Sequence, residues 1–239
     1  MKITTILQTW KRPQYLSEQI NAIRNQTIKS DKIIIVMNEG GIKFDLSKYK
    51  DCEIIYSSVN RKYHFRFAVG LVEDCDYLFF YDDDTISGTK FYETAIDLIN
   101  KKECVAVGNG RILYPEEKKW GCPGWGNPCD DATEVDFGGH CWGMKKDYLK
   151  YMWYDDPKIY SNCEDMQISF NCFRFNKIRT FVTPHPINER ERWSSLKGSV
   201  YGSDSVASWI TNKNHFQERW EIIDKYIKEG YIPLIKRNV

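Results

Sequence analysis

The stretch Tyr77-Leu78-Phe79-Phe80-Tyr81-Asp82-Asp83-Asp84 constrains this chain more than any other. Five bulky residues of high β-propensity, without polar alternation, describe a strand buried on both faces, the kind found in sheets covered by helices. That strand runs directly into three adjacent carboxylates. Neighbouring Asp side chains repel one another, and such a cluster is tolerable only where water or a cation neutralises it. Hard oxygen ligands of this type suit Mg²⁺ or Mn²⁺. A solvated acidic turn after a core strand is the plainer alternative, and the triplet alone does not separate the two.

The pattern on either side predicts an α/β fold. Ile3–Leu7 reads as a first strand, residues 8–13 as a βα loop and Tyr15–Asn25 as a helix, with Pro13 at its entrance, where a missing N–H costs nothing. Lys32–Met37 is a second buried strand, and strand, helix, strand implies a parallel sheet with right-handed crossovers. Ligands bind beyond the carboxyl ends of such strands, so Arg12, Asn38 and Asp82–Asp84 are expected on one rim. Glu53–Ser57 and Val105–Val107 are further short strands. Tyr63–Glu73, carrying Arg66, and Lys90–Lys101 are helices.

From Tyr114 to Asp131 the chain is interleaved with Pro, Gly, Trp120 and Trp125, which predicts a long loop of functional interest. Glu134–Met144 returns to strand character. It contains Gly138-Gly139, marking either close approach of a ligand or a bulge. Asn162 is expected to cap a helix running to Phe173, and Glu164 and Asp165 in its first turn suit the helix dipole. Arg179–Thr183 is a last strand, the polar segment Asn188–Asn214 is expected to be mobile, and Phe216–Glu229 closes the chain as a helix.

Length and charge limit the alternatives. A chain of 239 residues suits one α/β unit with a large core, and 34 basic against 33 acidic residues leave no global field for nucleic acid or an anionic membrane. The eight cysteines show no CxxC spacing and the four His are scattered, against a structural zinc site. Neither a secretory leader nor a membrane span is legible. Reduced thiols and a cytoplasmic location are therefore expected, with Cys122 and Cys129 open as a loop staple. Aromatic residues at 15 % fit a stacking surface or an ordinary core equally.

Five features in order then form a pattern: Ile-Leu-Gln-Thr-Trp-Lys-Arg-Pro at the start, Met37-Asn38, Arg66-Phe67 ahead of Asp82-Asp83-Asp84-Thr85-Ile86, Gly139 ahead of Lys146-Asp147-Tyr148-Leu149, and Asn162-Cys163-Glu164-Asp165. This order resembles the GT-A glycosyltransferases, and within them the exostosin-like N-acetylhexosaminyltransferases of family 64, from Ile3 to about Tyr226. The resemblance implies a single GT-A, Rossmann-like domain over residues 1–239, with a mostly parallel central sheet and helices on both faces. Residues 1 to about 110 would bind a nucleotide-sugar, usually a UDP-sugar, and 111–239 the oligosaccharide or glycoconjugate acceptor. It further implies Mn²⁺, or Mg²⁺, under the diphosphate, with Asp84 as main ligand and Asp82 and Asp83 toward the ribose and the metal shell. A departing nucleoside diphosphate gains negative charge that a cation and guanidinium groups stabilise. Thr9, Arg12, Asn38, Arg66 and His215 fall at donor positions, with a surface salt bridge as the plainer alternative for each Arg. Asp165, with Glu164 beside it, matches the acidic pair near the acceptor: a general base in an inverting enzyme, or a group that orients the acceptor in a retaining one. Arg219, one turn after His215, matches a residue that closes over the diphosphate. Trp120, Trp125, Gly139 and His140 are placed at the acceptor.

Two departures stand out. Secretory-pathway members carry a membrane anchor that is not seen here, and the expected disulfide partner of Cys163 is missing, since residues 220–223 read Trp-Glu-Ile-Ile. Three other readings compete with retention by a metal-dependent transferase. An inverting family-2-like enzyme would use Asp165 as base. A non-catalytic glycan-binding module would use the Trp120–Trp125 loop and leave the acids without a task. A phosphotransferase or nucleotidyltransferase would need a phosphate loop that Gly40-Gly41 alone does not supply.

Overall fold

The computed structural model describes residues 1–41 and 43–237. Its strands are β1 (Ile3–Thr9), β2 (Lys32–Asn38), β3 (Glu53–Ser57), β4 (Tyr77–Tyr81), β5 (Cys104–Tyr114), β6 (Lys119–Gly121), β7 (Thr133–Val135), β8 (Phe137–Lys145) and β9 (Arg179–Val182). The helices are α1 (Pro13–Arg24), α2 (His64–Gly70), α3 (Phe91–Lys102), α4 (Leu149–Met152), α5 (Glu164–Asn176), α6 (Gly198–Tyr201), α7 (Ser208–Thr211) and α8 (His215–Lys228).

One sheet runs through the molecule in the order β3-β2-β1-β4-β8-β5-β9-β7, with β6 paired to β5. β3, β2, β1 and β4 are parallel neighbours. β8 is inserted antiparallel between β4 and β5, and β9 runs parallel to β5. The α/β class and the predominance of one strand direction are as expected, because only β6, β7 and β8 run against the rest. Apolar runs without alternation demand cover on both faces, and both are covered. Leu16, Ile20 and Ile23 of α1 and Phe91, Ile96 and Ile99 of α3 pack on one face. Phe67 of α2, Leu149 and Met152 of α4 and Ile168 of α5 pack on the other. Each such side chain stabilises the fold by about 1.5–3 kcal/mol relative to exposure. A third cluster, with Phe170 of α5, Trp220 and Ile223 of α8 and Leu113 of β5, fixes the last helix against the end of the sheet.

Several expected boundaries shift, each for a physical reason. β5 is far longer than Val105–Val107, because Gly108 and Gly110 do not break it. A Cβ at Gly110 would lie 2.4 Å from the Val135 side chain and 2.6 Å from that of Val182, so the glycine makes room for both. The predicted loop from Tyr114 to Asp131 contains β6, which folds back on the end of β5. The expected strand Glu134–Met144 is two strands divided at Asp136. That buried carboxylate accepts bonds from the Leu113 and Leu234 amides and the Tyr231 hydroxyl, each at 2.7 Å, where an unpaired buried acid would be costly. Asn162 does not cap α5: its Oδ1 accepts from the adjacent Cys163 amide at 2.8 Å, and Cys163 enters the helix in the left-handed region at φ 66°. The 188–214 segment carries α6 and α7, and it buries Ser194, Ser195 and Ala207. Cys122 and Cys129 are free thiols, so they do not form the loop staple left open by the sequence. Among the described residues no helix is long and apolar enough to cross a membrane.

Candidate active site

A cleft of about 660 Å³ opens at the carboxyl ends of β1, β2 and β4, bounded on its far side by β8, the start of α5 and the start of α8. Arg12, Asn38, Arg66, all three Asp of the triplet, Gly139, His140, Glu164, Asp165, His215 and Arg219 all line it. So do Trp120 and Trp125. Thr9 does not: it is buried beneath the rim, 3 % exposed. β1, β4, β8 and the two helix starts converge there because β8 is inserted between the parallel half and β5.

The three carboxylates have different surroundings. The turn that carries them is held by Gln19, whose Nε2 donates to the Asp82 carbonyl at 2.5 Å and the Thr85 carbonyl at 3.1 Å. Asp82 Oδ1 accepts from Arg66 Nη1 at 2.5 Å. Arg12 Nη1 lies 2.7 Å from Asp83 Oδ1 and 3.1 Å from Asp84 Oδ2. Burial, together with the charges of Asp84 and Asp82, pushes the Asp83 carboxyl up to about 7 against the pull of Arg12. Burial also opposes the charge on Asp84, but His140 and Arg12 outweigh it and hold that carboxyl below its ordinary value.

His140 joins the acids through a bulge. Between the pairs Val107–Trp142 and Asn109–Gly139, one residue of β5 faces two of β8, and His140 takes φ 68°. Bulges commonly re-aim a side chain beside an active site. The His140 carbonyl accepts from the Asp82 amide and the Thr85 hydroxyl, both at 2.9 Å, so the bulge is tied to the triplet. Its Nδ1 stands 3.8 Å from Asp82 Oδ2 and 3.7 Å from Asp84 Oδ1, too far for hydrogen bonds, and among the described residues this buried nitrogen has no hydrogen-bond partner. Ligand atoms of Asp82, Asp84 and His140 lie within 4.8 Å of one another. Two carboxylates and an orphaned imidazole nitrogen fit a divalent cation. The sequence placed His140 at the acceptor; its side chain lies with the acids, under Trp125, whose ring centroid is 3.8 Å away.

The second acidic pair faces the triplet. Glu164 Oε1 accepts from Arg66 Nη2 at 3.0 Å, so Arg66, 1 % exposed, bridges Glu164 to Asp82. Burial, with Asp165 beside it, raises the Glu164 carboxyl. Asp165 Oδ2 takes Arg219 Nη2 at 2.5 Å, and Arg219 also donates to Asn162 Oδ1 at 3.3 Å. His215 Nδ1 lies 3.4 Å from Asn162 Nδ2. Asp165 lines the cleft beside Gly139, where a Cβ would lie in ordinary van der Waals contact with Asp165 Oδ2, at 3.9 Å.

The structure adds residues that the sequence did not single out. Asp204 forks onto Arg12, Oδ2 to Nε at 2.9 Å and Oδ1 to Nη2 at 2.7 Å, drawing the segment between α6 and α7 over the triplet. Trp10 lies on the rim with the Lys11 and Lys62 ammonium groups 4.3 and 5.6 Å from its ring centroid. Arg111 enters from β5. Asp204 had no sequence signal, since it lies in a polar stretch. Arg111 shares the face of β5 that carries Leu113 and could have been flagged as a charge inside a buried strand.

A sheet of this order with an acidic cluster at the end of β4 has the GT-A fold. Among solved structures the chain is similar to S. aureus TarS 1–349, at TM-score 0.55 and 14% identity, covering 77% of this chain and 60% of that one. It is similar also to TarS 1–349 in complex with UDP, at 0.55, 15% identity, 77% and 60%. The complex with UDP-GlcNAc gives 0.55, 15% identity, 80% and 60%. The chain thus spans about 60% of the TarS 1–349 length. No family model matches the sequence, and no curated protein does.

Proposed function

We propose that this chain is a metal-dependent glycosyltransferase that moves a sugar from a UDP-sugar to a glycan acceptor. The observation that carries this reading is the pairing, across one cleft, of a cation-ready cluster (Asp82, Asp84, His140) with a second carboxylate, Asp165, on the wall of that cleft. The TarS complexes with UDP and UDP-GlcNAc support the donor class. Asp82, Asp84 and His140 would hold Mn²⁺ or Mg²⁺, which when bound neutralises a departing diphosphate. Arg12 sits beside these acids and is positioned to turn its guanidinium to the same phosphates. Asn38 and Trp10 line the rim where the nucleoside would lie. Residues 1 to about 110 thus serve the donor and 111–239 the acceptor.

Retention and an exostosin-like affinity are supported by the motif order. A second reading, inversion with Asp165 as base, is favoured by one observation: Asp165 is fixed by Arg219 on one oxygen and by the Met166 amide, at 2.9 Å, on the other, with its carboxylate on the wall of the cleft. The anomeric configuration of the product, read by NMR, separates the two. Eight free thiols support a reducing, cytoplasmic setting.

The decisive experiment is thermal unfolding with UDP, GDP, CMP or dTDP, each with and without Mn²⁺. A ligand that binds only the folded state raises apparent stability by mass action, about 2.7 kcal/mol at 100 Kd. A rise that requires both UDP and the metal is expected. No rise with any pair would discard the transferase reading in favour of a glycan-binding module.

A further inference from the structure

Four arginines line the cleft, and three are neutralised within the chain: Arg12 by Asp83, Asp84 and Asp204, Arg66 by Asp82 and Glu164, and Arg219 by Asp165. Arg111 is different. Its Nη1 donates to the Gly110 carbonyl at 2.7 Å and to Asn109 Oδ1, and among the described residues it has no carboxylate partner. Those two bonds use one nitrogen and fix the plane of the guanidinium, leaving Nε and Nη2 for a ligand. Burial pulls this group below its ordinary value, and the nearby positive charge of Arg219 adds to that effect. A half-buried guanidinium held in one orientation, with no carboxylate bonded to it among the described residues, is a standing receptor for an oxyanion.

We propose that Arg111 receives an anionic group, a phosphate or carboxylate, carried by the acceptor, so that this cleft selects an acidic glycan over a neutral one. The proposal rests on the transferase reading and names its acceptor class. Position assigns Arg111 to the acceptor end. Its charged neighbours are Asp165 and Arg219, whereas Arg12 and Arg66 are the guanidiniums at the triplet. On the same face of β5, Leu113 pairs with Trp120. The Trp120 ring lies 4.8 Å from Phe216, which is 50 % exposed and offers a stacking surface for the pyranose that bears the charge. Lys213, exposed on the rim of the same cleft and likewise without an acidic partner among the described residues, adds positive field at the entrance.

The test is calorimetric titration of the whole chain with glucose, glucose 6-phosphate and glucuronate, first alone and then with UDP and Mn²⁺ saturating. With UDP in place, the two anionic sugars should bind at least about tenfold more tightly than glucose. Arg111→Gln should bring all three within about twofold, Arg111→Lys should restore part of the preference, and UDP affinity should be unchanged in both variants. Equal binding of the three sugars, including none at all, overturns the proposal, as does a preference that survives in Arg111→Gln. A preference seen on the free protein but abolished by UDP overturns it too, because Arg111 would then serve the donor. Should Arg111→Gln not fold, displacement of glucose 6-phosphate by inorganic phosphate on the unaltered chain tests the same anion site: displacement is expected, and its absence overturns the proposal. If UDP itself fails to bind, the transferase reading falls, while an Arg111-dependent preference for anionic sugars still shows the anion site.

Discussion

Arg12 and Asp204 are 192 positions apart and meet in a two-bond fork, at 2.9 and 2.7 Å, directly above the acidic triplet. One guanidinium therefore neutralises the cluster at the end of β4 and fastens the segment that covers it. Gly202, two residues before Asp204, is so close to the cluster that a Cβ there would lie 3.1 Å from Asp84 Oδ2. Closure of this segment and neutralisation of the acids are coupled through Arg12.

Asp204→Ala should release the cover while leaving the sheet intact. The two bonds from Arg12 and those from the Val206 and Ala207 amides are lost, but Asp204 is about a quarter exposed, so global stability should fall by only about 1–2 kcal/mol. Lys197 and Lys213 bracket the segment and are exposed. Limited trypsin digestion should cut there several-fold faster in the variant, and an unchanged rate would show that the fork does not hold the cover.

Asp84→Asn removes one carboxylate of the candidate cation site together with a charge that His140 and Arg12 stabilise in the fold. The metal-dependent part of UDP stabilisation should disappear, and the unfolding temperature without metal should fall. Retention of the full Mn²⁺ effect would exclude Asp84 as a ligand. His140→Ala should weaken the same effect without abolishing it, because both carboxylates remain.

Asp165→Asn should lower turnover by about 10²–10⁴-fold, the usual worth of a positioned proton acceptor, with UDP affinity kept within about threefold. Arg219→Ala should act in the same direction by freeing the Asp165 carboxylate to turn. Parallel losses of turnover and UDP affinity would make Asp165 a donor or structural group instead.

Arg66 illustrates what sequence position conveys and what it omits. The resemblance set it among donor contacts, and it does line the cleft, yet it is buried between Asp82 and Glu164 and stacks on Trp142, with 4.7 Å to the ring centroid. Arg66→Leu leaves two carboxylates without their cation and should destabilise the fold by about 3–5 kcal/mol. A stable variant that merely binds UDP less well would return Arg66 to the nucleotide.

The legible parts were those fixed by local chemistry. The apolar run of β4, Pro13 at the entrance to α1 and the acid-bearing start of α5 each dictate their own geometry, and the cleft follows from where parallel strands end. Long-range placement was not legible. Nothing in Glu134–Met144 announces that Asp136 is a buried ligand of Tyr231 and Leu234, so the break between β7 and β8 was invisible. The bulge that turns His140 toward Asp82 depends on the register of β5 against β8, which no spacing within one strand reveals. Asp204 lay in a polar stretch whose order depends on Arg12, a partner remote in sequence.

Acid sensitivity should be governed in part by His185, which is not among the residues that line the cleft. The ring is fully buried; Nδ1–H donates to the Thr183 carbonyl at 2.6 Å, and Nε2 accepts from the Ser194 amide at 3.3 Å with the Ser194 hydroxyl 2.7 Å away. Burial lowers the His185 value to about 4, against the Thr183 bond that favours the charged ring. Because the folded value is depressed below that of the unfolded chain, about 6.5, the unfolded state binds more protons between these limits. Stability is then complete above about pH 6.5 and declines as pH falls toward 4, by about 3 kcal/mol at most. His185→Gln should flatten the unfolding-temperature profile between pH 6.5 and 4 while lowering the plateau at neutral pH. An identical acid slope in the variant would assign that slope to other groups. Ser194 also donates to the Gly108 carbonyl at 3.1 Å, so charging His185 should loosen the approach to the cover before the sheet itself opens, and hydrogen exchange at residues 193–196 should rise first.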